Sequence, residues 1–278
     1  MACRNDLKFN DQTQKNALYG RFFIPLILVL ICQPSYADDL SNQSCVSTHF
    51  DEKAYIDYII DGDTVVLKDK RHVRLIGINT PEISHNEKPS EAGAIKARIE
   101  LIKLLQDQSH IQLLYGQERY DRHGRTLAHL FLNDGTNIQA QLLKSGLAMP
   151  LRIPPNLLYA DCYNLLGQFA KERGHGLWTR SRYKTREVSS LNGSEKGFYF
   201  IRGRVKRISK SQSAIWLNLN NNVAIKISRN DLNYFNRTQL DSLKDKIIEA
   251  SGWLYSHKGR LRMRLRHQLD LNLAKTQD

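Results

Sequence analysis

The sequence predicts a mainly β (α+β) protein made of two small β-barrels in series, the first richer in helix than the second. Three observations support this. Short runs rich in Val, Ile, Leu and Tyr are divided by turn pairs, among them Asp61-Gly62, Asp69-Lys70 and Asn133-Asp134-Gly135, as the strands of a meander are. A helix pattern interrupts each series after its third run. A polar stretch over residues 181–194 separates the two series.

Residues 38–54 are polar and read as a lead-in. Strands are predicted at Ile56–Ile60, Val65–Leu67 and Val73–Ile78. Pro89-Ser90-Glu91-Ala92 opens a helix on which Ile95, Ile99, Ile102 and Leu105 recur at helical spacing. Ile111–Leu114 and Leu127–Leu132 follow as strands, then helices over Ile138–Lys144 and Asn156–Arg173, with Gly174–Trp178 ending the unit. Five strands with a helix between the third and fourth is the order of an OB-fold barrel, placed over residues 55–180. The second series, residues 195–278, has strands at Phe198–Val205, Ala214–Leu219, Val223–Ile227, Ile247–Tyr255 and Leu261–Leu273, with a helix over Arg229–Leu243. Its order is again OB-like, although no sequence repeat connects the halves. The intervening 181–194 reads as a linker.

The first 37 residues have the pattern of a secretory signal peptide. Lys15 and Arg21 precede the apolar run Phe22–Cys32, and Ser35-Tyr36-Ala37 offers a small-x-Ala cleavage site. That run is too short to span a bilayer, so the expected mature chain has no transmembrane span and is exported, to the periplasm or beyond the cell. Cys3 and Cys32 would leave with the signal. Cys45 and Cys162 would remain, and two cysteines in an oxidising compartment predict one disulfide. Charge is unevenly placed: residues 38–179 carry 16 Lys+Arg against 18 Asp+Glu, whereas residues 180–278 carry 21 against 8. The basicity therefore belongs to the second barrel, which argues for two parts with separate tasks. A monomer is the default expectation.

Three strings carry chemistry: Asp61-Gly62-Asp63-Thr64, Arg74-Leu-Ile-Gly-Ile-Asn79-Thr80-Pro81-Glu82 and Asp121-Arg122-His123-Gly124-Arg125. They hold oxygen ligands, a spare carboxylate and two arginines. Oxygens suit a hard cation, a carboxylate can handle water, and guanidinium neutralises charge building on phosphorus. In this order, over residues 55–178, the strings closely resemble the staphylococcal (thermonuclease-like) nuclease family. The resemblance implies Ca²⁺ held by the Asp63 carboxylate, the Asn79 side chain and the Thr80 carbonyl, with Asp61 in support and Pro81 fixing the backbone. It implies that Glu82 positions the attacking water and that Arg74 and Arg125 clamp the phosphate. His123 matches a position that is not catalytic. Asn79 stands where the family more often has Asp, which removes one negative charge beside the cation, lowers affinity and admits other divalent ions. The family's type member stacks a base on tyrosines after a Gly-Leu-Ala turn. Here Gly146–Pro155 has no aromatic, so base stacking is not expected there, and Arg152 is expected at a phosphate.

Arg260, Arg262, Arg264 and Arg266 alternate with Leu261, Met263 and Leu265. On a strand this spaces guanidiniums about 6.6–6.8 Å apart, near the phosphate spacing of an extended single strand. They are expected to contact nucleic acid, with envelope polyanions as a second partner of the same charge. Trp216, Trp253 and Tyr255 are expected in the core, with the alternative that they stack bases of a single strand, as aromatics of OB-folds do. The resulting expectation is an exported, metal-dependent nuclease acting on DNA and also RNA. Its rival is an exported nucleic-acid-binding protein weakened as a catalyst by Asn79.

Overall fold

The computed structural model describes residues 45–84, 89–220 and 223–274; the signal peptide expected over 1–37 lies outside them. Among these residues no helix is long and apolar enough to cross a membrane. The first barrel contains β1 (Glu52–Ala54), β2 (Ile56–Ile59), β3 (Thr64–Leu67), β4 (His72–Leu75), α1 (Ala94–Leu105), β6 (Ile111–Tyr120) and β7 (Thr126–Phe131). The short strand β5 (Ile78–Asn79) lies between β4 and α1 and pairs with β8 (Met149–Pro150). β1 and β2 are halves of one bent strand, with β1 pairing β6 and β2 pairing β3. β3 pairs β4, β4 runs parallel to β7, and β7 returns to β6, so the sheet closes with five strands. Closure removes the free edges that an open sheet of this size would expose. Val65, Leu67, Val73, Leu75, Leu113 and Leu130 fill its interior.

α1 packs against the barrel through Ala94, Ala97, Leu101 and Leu105, whereas Ile95, Ile99 and Ile102 are exposed. The isoleucine periodicity identified a helix but pointed to the wrong face of it. The reason is steric: Ala97 sits so close to the Asp61–Asp63 turn that a Cβ at Gly62 would lie 2.7 Å from its Cβ. Only a small residue fits there. α2 (Ile138–Lys144) is capped by Asn137, whose side chain accepts from the Ala140 N–H at 3.0 Å. α3 (Ala160–Glu172) starts four residues later than expected. Asn156 is occupied instead: its amide accepts from the Glu118 N–H at 2.9 Å and donates to the Glu118 carbonyl at 3.0 Å, bracing the extension of β6. A disulfide joins Cys45 to Cys162 of α3, tying the lead-in to the barrel.

The second barrel follows β9 (Arg186–Glu187). It comprises β10 (Gly197–Lys210), β11 (Ala214–Leu219), β12 (Val223–Ser228), β13 (Ile247–His257) and β14 (Arg260–Leu265), with β15 (Leu271–Leu273) beside β13. β10–β11 and β11–β12 are antiparallel, β12 runs parallel to β14, and β14 pairs β13, which returns to β10. This is the strand order of the first barrel. The expected helix is divided into a 3₁₀ segment, Arg229–Tyr234, and α4 (Arg237–Asp241), with buried Phe235 between them. Asn236 caps the second piece by accepting from the Gln239 N–H at 3.0 Å.

The stretch expected as a linker is packed rather than free. Tyr183, Val188 and Leu191 are buried, and β9 pairs in parallel with β10. Met149, Ala170, Leu177, Trp178, Tyr183 and Phe198 form an apolar cluster shared by the two barrels. Beside it, buried Arg152 reaches Asp270 at 2.8 Å.

Candidate active site

The site begins in the turn between β2 and β3. Asp61 accepts from the Asp63 N–H at 3.0 Å and so closes the turn that Gly62 permits. Asp63 is thereby buried, with its Oδ2 accepting from the Thr80 N–H at 2.7 Å and its Oδ1 approached by the Thr64 hydroxyl at 3.3 Å. Across the β3–β4 hairpin Arg74 stands opposite Thr64, which brings its guanidinium to 2.6 Å from Asp63 Oδ2. The same guanidinium donates to the carbonyls of Leu75 at 3.1 Å and Ile78 at 3.2 Å. Arg74 is thus held on three sides before any substrate arrives.

Electrostatics at this turn favour added positive charge. Burial pushes the Asp63 carboxyl up to about 6; Arg74 opposes this, while the charges of Asp61 and Glu82 add to it. Glu82 is raised too: the residue is exposed overall, but neighbouring atoms half-shield its carboxyl from water, and Asp61 adds to this against the pull of Arg74 and Arg125. It stands in an exposed loop, its N–H donating to Glu91 at 3.0 Å. Arg125 closes the β6–β7 hairpin, where its Nε donates to Asp121 Oδ2 at 2.8 Å. Asp121 Oδ1 accepts from the backbone N–H groups of His123 and Arg125. Burial raises the Asp121 carboxyl, but these bonds outweigh it and leave it below its ordinary value. His123 is exposed in the turn, with Arg122 donating to its ring at 3.0 Å.

Arg74, Asn79, Glu82 and Arg125 line one cleft of about 560 Å³, while Asp63 and Thr80 are buried beneath it. Asn79 is supplied by β5, and its side-chain amide makes no hydrogen bond within the described residues. Two residues of the same cleft were not singled out for it from the sequence: Trp253 of β13 and Arg266, just after β14, both from the second barrel. Their sequence positions carry no sign of this, because it depends on how the barrels pack.

Other expectations are corrected. Arg152 is buried, donating to Asp270 at 2.8 Å and to Asn164 at 2.6 Å, and so fastens the barrels together instead of facing solvent. The four arginines of β14 and its end do not act as one row. Arg264 and Arg266 converge on buried Asp231, at 2.7 and 3.4 Å. Arg260 and Arg262 instead share a surface pocket with Arg207 and Trp216, Arg262 lying 4.9 Å from the Trp216 ring centre. The aromatics are not in the core: Trp253 is 43 % and Tyr255 38 % exposed, and Trp216 is half-buried.

A closed five-stranded OB barrel with buried acidic oxygens, an exposed glutamate and two braced arginines around a cleft defines a nuclease-type fold. Residues 72–180 match the model of the staphylococcal nuclease homologue family. The thermonuclease of Staphylococcus intermedius is 32% identical over 158 residues, covering 55% of this chain and 92% of that protein. The thermonuclease of Staphylococcus hyicus is 30% identical over 124 residues, 44% of this chain and 72% of its own length. An uncharacterized endonuclease of Escherichia coli is 26% identical over 168 residues, 57% of this chain and 90% of that protein. The chain belongs to the staphylococcal nuclease family.

Proposed function

We propose that this protein is an exported, divalent-metal-dependent nuclease that hydrolyses phosphodiester bonds of DNA, with RNA as a second substrate. The observation that carries the reading is the gathering of Arg74, Glu82 and Arg125 around one cleft floored by Asn79. Arg74 is fixed by Asp63 and two carbonyls, and Arg125 by Asp121. Each therefore presents a planar fork to phosphate oxygens with little reorganisation. Glu82, its proton affinity raised by partial shielding from water and by Asp61, positions the attacking water and accepts its proton more readily than an ordinary carboxylate would.

The donor set fits a hard cation. Asp63 is a buried carboxylate destabilised by the charges of Asp61 and Glu82, and Asn79 offers an amide oxygen that has no partner among the described residues. Among the described residues no three acidic, His or Cys side chains form a metal-binding group by themselves. Asp63, Asn79 and the Thr80 carbonyl would therefore share a cation with water. Ca²⁺ bound there would polarise the phosphate and offset its charge. Export is supported by the signal-like leader and by the Cys45–Cys162 disulfide, a bond of oxidising compartments.

A second reading, a nucleic-acid-binding protein of weak catalytic power, rests on Asn79 alone. Digestion of linear and single-stranded DNA with Ca²⁺, with Mg²⁺ and with EDTA separates the two. The nuclease reading expects cleavage that requires metal. DNA that stays intact in every condition yet shifts on a gel would establish the rival.

A further inference from the structure

Trp253 is a large apolar side chain left 43 % exposed on a strand whose neighbouring core positions, Gly252 and Leu254, are buried. A tryptophan left in water forgoes much of the stabilisation its burial would give, so an indole in a concave polar site points to a ligand. Its ring is not loose. Phe198 meets it edge-on at 5.0 Å and 86°, and Phe198 in turn packs against Phe200, which contacts Trp178 at the end of the first barrel. A line of aromatic contacts thus fixes the indole relative to both barrels. It shares the cleft with Arg74, Glu82 and Arg125, and with Leu151 and the exposed Ile153 from the stretch that has no aromatic of its own. Arg266 secures the same wall: one guanidinium nitrogen donates to the Pro154 carbonyl at 3.1 Å, and the group is also paired with Asp231.

We propose that the second barrel completes the substrate cleft, with Trp253 as the platform on which a nucleobase stacks next to the phosphate held by Arg74 and Arg125. The substrate class that follows is a single-stranded polynucleotide, because a base within a duplex has both faces covered by its neighbours. Stacking is tolerant of sequence, since every base has a π face. The cleft therefore selects strandedness rather than base identity. Arg266 is a positioning residue, which holds the wall that carries the indole. This inference rests on the nuclease reading for the phosphate, but the stacking platform can be tested without cleavage.

The test uses the full-length Glu82→Gln protein in Ca²⁺, with binding followed in every variant by the fluorescence anisotropy of an end-labelled strand and, in the parent, also by intrinsic tryptophan fluorescence. The probes are a twelve-nucleotide single-stranded DNA and an abasic strand of the same length. The base-bearing strand is expected to quench fluorescence and to bind more tightly than the abasic one. Trp253→Ala is expected to weaken the base-bearing strand about tenfold, a loss within the usual range for one base–aromatic stack, and to leave the abasic strand unchanged. Trp253→Phe is expected to restore most of the difference, which a general folding defect would not do. Equal base-to-abasic ratios in the Trp253→Ala and parent proteins would overturn the proposal, as would absence of base-dependent binding in the parent. Wild-type protein that leaves DNA intact while this ratio responds to Trp253 would instead refute only the nuclease reading.

Discussion

At the scale of single residues, the site combines groups whose burial is costly with neighbours that offset the cost. Asp63 is the clearest case, a carboxylate kept under Arg74 and the Thr80 N–H while burial drives its pKa up to about 6. Arg74 is its counter-ion and, in the proposed function, the ligand of the phosphate. Lysine would keep the charge but lose the fork, so Arg74→Lys is expected to lower kcat on DNA roughly 10²-fold, by analogy with removal of one transition-state donor. Steady-state kinetics would check this. A second residue sets a pH dependence unrelated to catalysis. His129 is buried with its ring 2.9 Å from the Tyr163 hydroxyl, and burial lowers its pKa to about 3 from 6.5. The unfolded chain takes up that proton near pH 6.5 and the folded chain only near pH 3. Stability from this group is therefore complete above pH 6.5 and is lost as pH falls. Between pH 7.5 and 5 the loss amounts to roughly 2 kcal/mol, and urea unfolding of His129→Gln should show a shallower fall over that interval.

At the scale of elements, the strands were readable because alternation on a barrel strand is strict. Leu261, Met263 and Leu265 are buried and their arginine neighbours face outward, as the pattern of β14 implies. The partners of those arginines were not readable. Asp231 approaches Arg264 and Arg266 from a 3₁₀ turn, and a pairing over more than thirty positions leaves no local trace. The helix before β13 was misjudged for a local reason, since Asn236 can cap a new helix and does so here. α1 was found by its isoleucines yet turns Ala94, Ala97, Leu101 and Leu105 to the barrel, and at Ala97 the close approach of the Gly62 turn requires a small side chain. Arg152 was misread because a lone arginine in a loop does not show that Asp270 lies across the interface. Removing one partner of a buried pair leaves the other charge uncompensated. Arg152→Ala is therefore expected to destabilise the protein by about 3–5 kcal/mol in urea denaturation. Asp270→Asn is expected to cost a similar amount, because it leaves the buried Arg152 guanidinium without its counter-ion.

At the scale of the whole molecule, two barrels of one strand order are held together by an apolar cluster and a buried ion pair, and both line one cleft. That the three strings gather at one cleft could be anticipated, because each occupies a turn or strand end whose residues are close in sequence. The place of Trp253 in the same cleft was not legible, because it arises only when the second barrel is set against the first. The disulfide spans 117 positions and fastens the lead-in to α3. Cys45→Ser with Cys162→Ser is expected to reduce stability by up to about 4–5 kcal/mol in the chain-entropy limit, read as a lower thermal midpoint. The most direct test of the central claim is the single-turnover rate of DNA cleavage in Ca²⁺ by wild type, Glu82→Gln and Arg125→Ala, with DNA affinity measured in parallel. The account predicts that each substitution lowers the rate at least ~10²-fold while the protein still binds DNA. Equal rates in all three proteins, or no cleavage by wild type despite tight binding, would contradict it.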